Sequence, residues 1–337
     1  MATPGPLLVM GAGSVGGYVG GCLQAAGAEV HFVGRPRMLD AWHAHGLRVT
    51  DQDGRDQAVP PASLKLSASV PAGLAPSLVL ITVKCGATRE AAAALGAALP
   101  AGTPVLSLQN GLGNAEAGAG AAPGLRWLAG MVPYNIAEVG PGHLHRGTGG
   151  HLAAEDDPAL RAWLPVFEAA RVCLKLHADL RQVQWGKLLL NLNNAVNDLS
   201  GRPLRAESME RGYRQVFAAL QREALAALAA AGIEPAQVAA VAPRRMPMLL
   251  SLPDWLFHRV AKRMLRIDPQ ARSSMADDLA LGRRTEVDAL CGEVVRLARS
   301  RGLQAPLNER IQALIEAWPQ QPGPLAPAEL KARLGWR

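Results

Sequence analysis

The sequence predicts an α/β chain in which a doubly wound, mostly parallel sheet is followed by an all-α domain. Three observations support this: a glycine-rich loop joins an apolar strand to a helix near the N-terminus, further strand-length apolar runs follow, and helical patterns dominate after Asp179. A chain of 337 residues accommodates two domains, since domains usually contain about 100–200 residues. We place the boundary after residue 178, which gives domains of residues 1–178 and 179–337.

The composition excludes several classes of protein. No apolar run reaches the roughly 18 residues of a membrane span, and the first residues lack the positive charge of a secretory signal. The 4 cysteines have neither metal nor redox spacing, so a cytoplasmic location is expected. The net charge of +7 comes from scattered arginines, and aromatic residues are only 4%. This favours small anionic ligands over nucleic acid.

The glycine-rich loop has the pattern G-x-G-x-x-G and lies between a strand at 7–10 and a helix-length stretch that leads to a second strand at 29–33. In this setting the first glycine permits a tight turn, the second lets the backbone approach a pyrophosphate, and the third allows close packing of helix and strand. The helix N-terminus then offers free N–H groups to phosphate. We therefore predict a Rossmann-type dinucleotide site. Its predicted cofactor contacts are Gly11, Gly13, Ser14, Val15 and Gly16.

The end of the second strand indicates which dinucleotide binds. NAD enzymes usually carry an acidic residue there, whereas this chain has Gly34-Arg35-Pro36-Arg37. An arginine at this point accommodates a 2′-phosphate, so we predict NADP(H) with Arg35 as the contact. The alternative is that both arginines are surface residues of a loop, and a helping role for Arg37 stays open.

Two later apolar strands end in polar residues. Lys84 closes the run from Leu78, and Asn110 closes the run from Pro104. Ligands of doubly wound sheets bind outside the carboxyl ends of the strands. Lys84 and Asn110 are therefore predicted to contact cofactor or substrate. The alternative is a solvated lysine and an ordinary Asn-Gly turn.

The segment from Leu125 to Leu152 contains short strands, which we expect to extend the sheet in antiparallel fashion. Its histidines at 143, 145 and 151 do not predict a metal site, because strand alternation explains their spacing and no matching carboxylate or cysteine accompanies them. A helix at 158–170 and a last strand at 172–177 complete this domain.

The second domain opens with a leucine-rich stretch, Trp185 to Gly201, that predicts one buried helix. Its polar residues recur at intervals of four, three and four, which places them on one stripe of the helix. A buried ammonium is costly unless it is paired or faces a wet cleft, so the stripe resembles the lining of a site. The alternative is a structural polar seam between helices. The residues of the stripe are Lys187, Asn191, Asn194 and Asp198.

The remaining segments are assigned from their patterns. We predict a long helix at 207–231, an irregular stretch with a short helix at 235–253, a helix at 308–318 and a loose proline-rich extension at 319–327. Ser274 and Glu286 are separated by three steps of four residues, so they fall on one helical ridge. Glu286 could face Lys187 from there, or it could be a surface acid paired with Arg283.

These motifs together resemble the 2-dehydropantoate 2-reductase family, also called ketopantoate reductase. The resemblance covers most of the chain. The glycine loop is shared with many dehydrogenases, whereas the motifs Trp185-x-Lys187-Leu-x-x-Asn191 and Ser273-Ser274-Met, with Glu286 twelve residues after Ser274, are specific to the family.

The resemblance implies NADPH-dependent reduction of 2-dehydropantoate to (R)-pantoate, in pantothenate and coenzyme A biosynthesis. It implies that residues 1–178 bind NADP(H) and that residues 179–337 bind substrate and carry catalysis. By the same resemblance Lys187 is the catalytic acid, and Glu286 orients the substrate hydroxyl and assists the lysine. Asn191 and Ser274 bind substrate, while Lys84 and Asn110 hold cofactor or substrate.

One position departs from the family pattern, which usually has a second asparagine eight residues after the lysine. This chain has Ala195 there and Asn194 one residue earlier. Either Asn194 takes over the contact with substrate, or the pocket accepts a different small 2-oxoacid. A non-catalytic NADP-sensing protein is the alternative from another functional class. The oligomeric state stays open, with a homodimer as one option.

Overall fold

The computed structural model describes residues 4–261, 272–273, 275–276, 279, 285–318 and 323–336. The chain divides into two compact units, Met1–Leu180 and Arg181–Arg337. Among the described residues, no helix is both long enough and apolar enough to cross a bilayer.

The first unit is built on two sheets. Eight strands form the larger sheet in the order β12-β11-β8-β7-β6-β1-β2-β5, and four form the smaller one in the order β4-β3-β10-β9. The strands are β1 (Leu7–Met10), β2 (Val30–Val33), β3 (Leu47–Asp51), β4 (Asp56–Val59), β5 (Lys65–Ser67), β6 (Leu78–Ile81), β7 (Pro104–Ser107), β8 (Arg126–Met131), β9 (Ile136–Gly140), β10 (His143–Arg146), β11 (Leu152–Glu155) and β12 (Leu174–His177).

Helices cover both faces of the larger sheet. Successive residues of β1 alternate between two apolar cores: Leu7 and Val9 pack with residues of the first helix, and Leu8 packs with Ala92 and Leu95 of the third. Strands buried on both faces need continuous apolar runs, which is the pattern of the central strands β1 and β6. The helices of this unit are α1 (Ser14–Ala25), α2 (Pro36–His45), α3 (Thr88–Ala98), α4 (Asn114–Ala121), α5 (Pro158–Arg161) and α6 (Leu164–Ala169), with 3₁₀ turns at Pro61–Ser63 and Cys85–Ala87.

The prediction of a doubly wound sheet is confirmed. Strands β2, β1, β6 and β7 are neighbours and run parallel. The chain passes from β1 to β2 on one side and later returns to β6 on the other. The connections therefore diverge between β1 and β6, which is the topological switch point where ligands bind in such sheets.

The prediction that the strands of 125–152 all extend this sheet is wrong. Strand β8 pairs in parallel with β7, and β11 pairs antiparallel with β8. The hairpin β9–β10 instead joins β3 and β4 in the smaller sheet, where β10 runs parallel to β3. The strands of 47–59 were not predicted, because their polar outer faces weaken the apolar pattern. The predicted helix at 158–170 is two short helices, α5 and α6.

A buried ion cluster fixes the smaller sheet. The Asp51 carboxylate accepts hydrogen bonds from the backbone N–H of Arg55 at 2.9 Å and from the guanidinium of Arg146 at 2.9 Å. Burial opposes its charge, but these donors outweigh burial and lower the pKa of Asp51 to about 2. Arg55 also donates to the carbonyl oxygen of Ala170 at 2.8 Å, which fastens the sheet to the loop after α6. The cluster is structural.

The described part of the second unit is helical. Its helices are α7 (Leu180–Asn191), α8 (Asn193–Ser200), α9 (Leu204–Met209), α10 (Arg211–Ala230), α11 (Met246–Leu250), α12 (Asp254–Val260), α13 (Cys291–Ser300), α14 (Pro306–Glu316) and α15 (Pro327–Arg333), with 3₁₀ turns at Pro243–Arg245 and Val287–Ala289.

Two predicted single helices are each divided in the structure. The stretch 185–201 belongs to α7 and α8, which are separated at Leu192. The stretch 207–231 belongs to α9 and α10, which are separated at Glu210, a residue with extended backbone. Neither break involves proline or glycine, so the usual sequence signals of a helix end are missing.

The prediction of a loose C-terminal extension is wrong for the described residues of that segment. Leu325, Leu330 and Leu334 are buried. The N–H of Leu325 donates to the carbonyl oxygen of Leu199 at 2.8 Å, and its own carbonyl accepts from the Tyr213 hydroxyl at 2.8 Å. Burial of the three leucines, together with these two hydrogen bonds, attaches the end of the chain to α8 and α10 although prolines surround it.

Candidate functional site

Four predicted site segments lie at one edge of the larger sheet. Strands β2, β1, β6 and β7 are adjacent and parallel, so their carboxyl ends share that edge. Gly11 follows β1, Arg35 follows β2, Lys84 follows β6 and Asn110 follows β7. The topology therefore brings the predicted cofactor contacts of the first unit to the switch point.

The three glycines of the loop have different surroundings. Gly11 has a φ of +117°, and a Cβ there would lie 2.7 Å from the backbone nitrogen of Val83. A Cβ at Gly16 would overlap the carbonyl oxygen of Gly11 and the hydroxyl oxygen of Thr82. At Gly13 a Cβ would meet no atom within 4 Å. The fold therefore requires glycine at 11 and 16, whereas the open space at Gly13 fits a ligand that approaches the backbone.

Helix α1 begins directly after this open space. Gly13 is its N-cap residue, and neither a side-chain cap nor an acidic residue occupies the first turn. Ser14 and Val15 are half-buried at the start of the helix. The first N–H groups of a helix have no partner within it and carry its positive dipole end. The residues present thus fit the pyrophosphate of a dinucleotide.

The two arginines after β2 differ in their contacts. Arg37 donates to the Glu138 carboxylate at 3.3 Å. Arg35 is exposed, has extended backbone and forms the N-cap of α2. Arg35 is thus the better placed of the two to receive an anion at the sheet edge.

A buried polar network supports Asn110, and the sequence did not indicate it. The carbonyl oxygen of Asn110 accepts from the Asn114 amide at 2.8 Å and from the Cys85 thiol at 2.9 Å. The Gln109 amide donates to the carbonyl oxygen of Val83 at 3.0 Å and to the Thr88 hydroxyl at 2.7 Å. These bonds tie the loop after β6 to the loop after β7.

Lys84 and Asn110 differ in exposure at this edge. Lys84 is exposed immediately before the 3₁₀ turn Cys85–Ala87, and Asn110 is half-buried. The network behind them limits the movement of both loops. The one signal for it in the sequence is the glutamine directly before Asn110, two residues after the end of β7.

In the second unit the predicted stripe survives the break at Leu192. Lys187 and Asn191 on α7 and Asn194 on α8 are half-buried, as is Leu190, whereas Leu188, Leu189 and Leu192 are buried. Asp198, the last member of the stripe, is buried. The helix pair therefore presents a lysine and two amides on its less buried side.

Ala195, the next residue of α8, is packed, with 0% of its surface exposed. An asparagine at 195 would bring an amide into this fully buried position. Asn194 is half-buried, so part of its side chain can be reached by a ligand.

The helix of Lys187 is packed closely against the stretch 235–253. A Cβ at Gly186 would overlap the carbonyl oxygen of Ala236, and the N–H of Ala236 donates to the carbonyl oxygen of Gln182 at 2.9 Å. No role was predicted for this stretch from its pattern. Its first residues hold the backbone of α7 at the position next to Lys187.

Glu286 is buried, with 8% of its surface exposed, so the interpretation as a surface acid is wrong. It precedes the 3₁₀ turn Val287–Ala289 and is not within a regular α-helix. Ser274 lies outside the described residues, as does most of the predicted ridge. Within the described residues, no group of three or more His, Cys, Asp or Glu side chains is arranged to hold a metal ion.

Comparison with known proteins covers both units. The family model described as "Ketopantoate reductase PanE/ApbA" matches residues 7–157, and that described as "Ketopantoate reductase PanE/ApbA C terminal" matches residues 179–318. A protein of Halobacterium salinarum named 2-dehydropantoate 2-reductase is 29% identical over 320 residues, which cover 92% of this chain and 97% of that protein. A protein of the same name from Caulobacter vibrioides is 28% identical, with coverage of 92% and 98%.

Solved structures agree with the family matches. A PanE/ApbA family ketopantoate reductase from Ralstonia eutropha superposes with a TM-score of 0.78 at 30% identity, covering 94% of this chain and 99% of its own. D-mandelate dehydrogenase in complex with NADH and anilino(oxo)acetate shares the fold, with a TM-score of 0.74 at 17% identity and coverage of 94% and 98%. The chain therefore belongs to the ketopantoate reductase family, and it is an oxidoreductase.

Proposed function

We propose that this chain catalyses the NADPH-dependent reduction of 2-dehydropantoate to (R)-pantoate, a step of pantothenate and coenzyme A biosynthesis. The observation that carries the proposal is the half-buried face of Lys187, Asn191 and Asn194 on α7 and α8. It supplies one acid and two amide ligands, in a chain whose family matches cover both units.

The first unit would bind NADP(H). The open space at Gly13 and the N-terminus of α1 suit the pyrophosphate, with Gly11, Ser14, Val15 and Gly16 forming the loop. Exposed Arg35 suits the 2′-phosphate that distinguishes NADP from NAD. Lys84 and Asn110 would hold the ribose or nicotinamide end, or the substrate.

Lys187 would serve as the acid of the reaction. When bound, the nicotinamide supplies the hydride to the C2 carbonyl carbon of the substrate. Negative charge then grows on the carbonyl oxygen, where the Lys187 ammonium can donate a hydrogen bond and then a proton. The half-buried position strengthens this interaction, because the surrounding dielectric is lower than that of water.

The other side chains of the second unit would orient the substrate. The amides of Asn191 and Asn194 can donate hydrogen bonds to a carboxylate or hydroxyl group. The buried Glu286 carboxylate suits the hydroxyl group of 2-dehydropantoate and would assist the lysine. Ser274 is proposed as a further substrate ligand on the strength of the family motif alone.

The test is NADPH oxidation followed by absorbance, with 2-dehydropantoate and a panel of other 2-oxoacids, repeated with NADH. Selective turnover of 2-dehydropantoate with NADPH is the expected result. Binding of NADPH without turnover of any 2-oxoacid would contradict the proposal and favour an NADP-sensing protein. Light scattering on the same sample tests whether the enzyme is a homodimer.

A second candidate function is the reduction of another 2-oxoacid. It is favoured by Ala195, which is fully buried where the family motif usually has asparagine. The panel should include aromatic 2-oxoacids, since a D-mandelate dehydrogenase has the same fold. A higher kcat/KM for one of these than for 2-dehydropantoate would keep the lysine chemistry and change the substrate.

A further inference from the structure

A buried carboxyl group that the proposed mechanism does not use lies beside α8. Glu207 of α9 is 1% exposed. Its Oε2 accepts hydrogen bonds from the side-chain amides of Asn193 at 3.0 Å and Asn197 at 3.1 Å. Burial raises the pKa of Glu207 to about 7, although the two amides partly oppose this. A buried ionisable group is costly, and a glutamine could accept the same two hydrogen bonds.

Glu207 fixes the orientation of the Asn197 side chain. The side-chain amide nitrogen of Asn197 donates to Glu207 and also to the carbonyl oxygen of Arg202, the latter at 2.9 Å. With the nitrogen so engaged, the Asn197 Oδ1 faces the backbone N–H of Ser273 and accepts from it at 2.9 Å. Glu207 and the carbonyl oxygen of Arg202 thus together determine that the Asn197 oxygen, and not its nitrogen, faces Ser273.

Ser273 is in turn the anchor of its own segment. Its hydroxyl donates to the Asp198 carboxylate, and its oxygen accepts from the backbone N–H groups of Met275 at 3.2 Å and Ala276 at 3.1 Å. The residues on both sides of Ser274 are therefore fastened to α8, the helix that carries Asn194.

We propose that Glu207 is a positioning residue for substrate: through Asn197 it holds Ser273, the residue before the proposed substrate ligand Ser274, against α8, and it thereby sets the affinity for the 2-oxoacid. This inference rests on the proposed function. A purely structural carboxyl group would affect stability without changing the KM for the 2-oxoacid.

Glu223 provides a matched control in the same unit. Its carboxylate accepts from the backbone N–H groups of Leu307 at 2.9 Å and Asn308 at 3.0 Å, so it caps the start of α14. It is also engaged in several hydrogen bonds, but none of them leads to Ser273. Glu223→Ala should therefore lower the melting temperature without altering the KM for the 2-oxoacid.

The experiment compares Glu207→Ala, Glu207→Gln and Glu223→Ala with the wild type. We expect Glu207→Ala to raise the KM for the 2-oxoacid by about ten-fold or more, since a buried hydrogen-bond acceptor is lost, while the Kd for NADPH stays unchanged. Glu207→Gln keeps an acceptor oxygen and should restore most of the affinity. Hydrogen exchange of the Ser273 amide should be faster in Glu207→Ala than in the wild type.

Each outcome has a defined meaning. An unchanged KM in Glu207→Ala, with an active wild type, overturns the inference and leaves the proposed function intact. If the wild type turns over no 2-oxoacid, the proposed function fails. In that case the positioning role is judged by hydrogen exchange: an equal exchange rate of the Ser273 amide in Glu207→Ala and in the wild type overturns it. If Glu207→Ala does not fold, Asn197→Ala takes its place, and an unchanged KM in that variant overturns the inference.

Discussion

Gly13 and Gly16 belong to the same glycine motif, at the N-cap and in the first turn of α1, yet they have opposite surroundings. A Cβ at Gly16 would overlap the carbonyl oxygen of Gly11, whereas a Cβ at Gly13 would meet no atom within 4 Å. The fold thus requires glycine at position 16, whereas the proposed cofactor requires glycine at position 13.

Alanine at these two positions should separate folding from cofactor binding. Gly16→Ala should lower the free energy of unfolding by about 1–3 kcal/mol, because the methyl group overpacks the loop. Gly13→Ala should keep wild-type stability but raise the Kd for NADPH by about ten-fold or more, because the methyl group stands between the backbone and the pyrophosphate. Urea unfolding and NADPH fluorescence titration measure the two effects. Wild-type affinity in Gly13→Ala would refute the assignment of this loop.

Arg35→Ala should discriminate between the two nicotinamide cofactors. We expect the Kd for NADPH to rise by about ten-fold or more, since a charge-assisted contact with the 2′-phosphate is lost, and the Kd for NADH to stay constant. Arg37→Ala is the matched control. Because Arg37 is paired with Glu138 at 3.3 Å, its substitution should change the Kd for NADPH less than that of Arg35. Equal weakening of both cofactors by Arg35→Ala would remove the basis for NADP specificity.

Asn194 and Ala195 are expected to respond in different ways to substitution. Asn194→Ala should raise the KM for the 2-oxoacid by about ten-fold, through the loss of an amide donor. Ala195→Asn should lower stability by about 1–3 kcal/mol, since it buries an amide at a fully enclosed position. Steady-state kinetics and urea unfolding test this pair. A lower KM in a stable Ala195→Asn variant would show that position 195 faces the substrate after all.

Glu207 should make stability depend on pH in a window from about 4.5 to about 7. The folded state retains a proton there that the unfolded state releases, so the free energy of unfolding falls as pH rises through this window and levels off above it. The fall is on the order of 3 kcal/mol, mainly from burial, and the charge of Asp198 adds to it. Urea unfolding at pH 5 and pH 8 measures it, and Glu207→Gln should lack this component.

Asp51 behaves in the opposite sense and in a separate window. Its pKa is lowered from 3.8 to about 2, so its contribution to stability is present above 3.8 and is lost as pH falls through 2. This window lies below that of Glu207, so Asp51 does not affect the measurement on Glu207.

For Glu207, an equal pH dependence of the free energy of unfolding in the wild type and in Glu207→Gln would contradict the raised pKa of its carboxyl group.

The parts of the fold that the sequence predicts well depend on local patterns. The glycine loop and the strands ending before Lys84 and Asn110 are each specified within a few residues, and their polar ends fall at one sheet edge because parallel strands share it. The stripe from Lys187 to Asn194 survives because Leu192, at the break, keeps right-handed helical backbone angles. These features carry the candidate site.

The parts that the sequence does not predict depend on distant partners. Strand β3 pairs with β10, where Arg48 is opposite His143, and no local pattern announces such a pairing. Glu207 resembles a solvated acid in an alanine-rich helix, and only the folded chain surrounds it with Asn193 and Asn197. The buried network around Gln109 is likewise assembled from two loops.

The proposed role of Lys187 as the acid of the reaction can be tested by a single comparison: the initial rate of NADPH oxidation with 2-dehydropantoate for the wild type and for Lys187→Ala, alongside the Kd of each for NADPH. We expect an active wild type, a loss of about 10²–10⁴-fold in turnover for the variant, and equal Kd values, because the lysine acts as a general acid and does not hold the cofactor. Wild-type turnover by Lys187→Ala would contradict it.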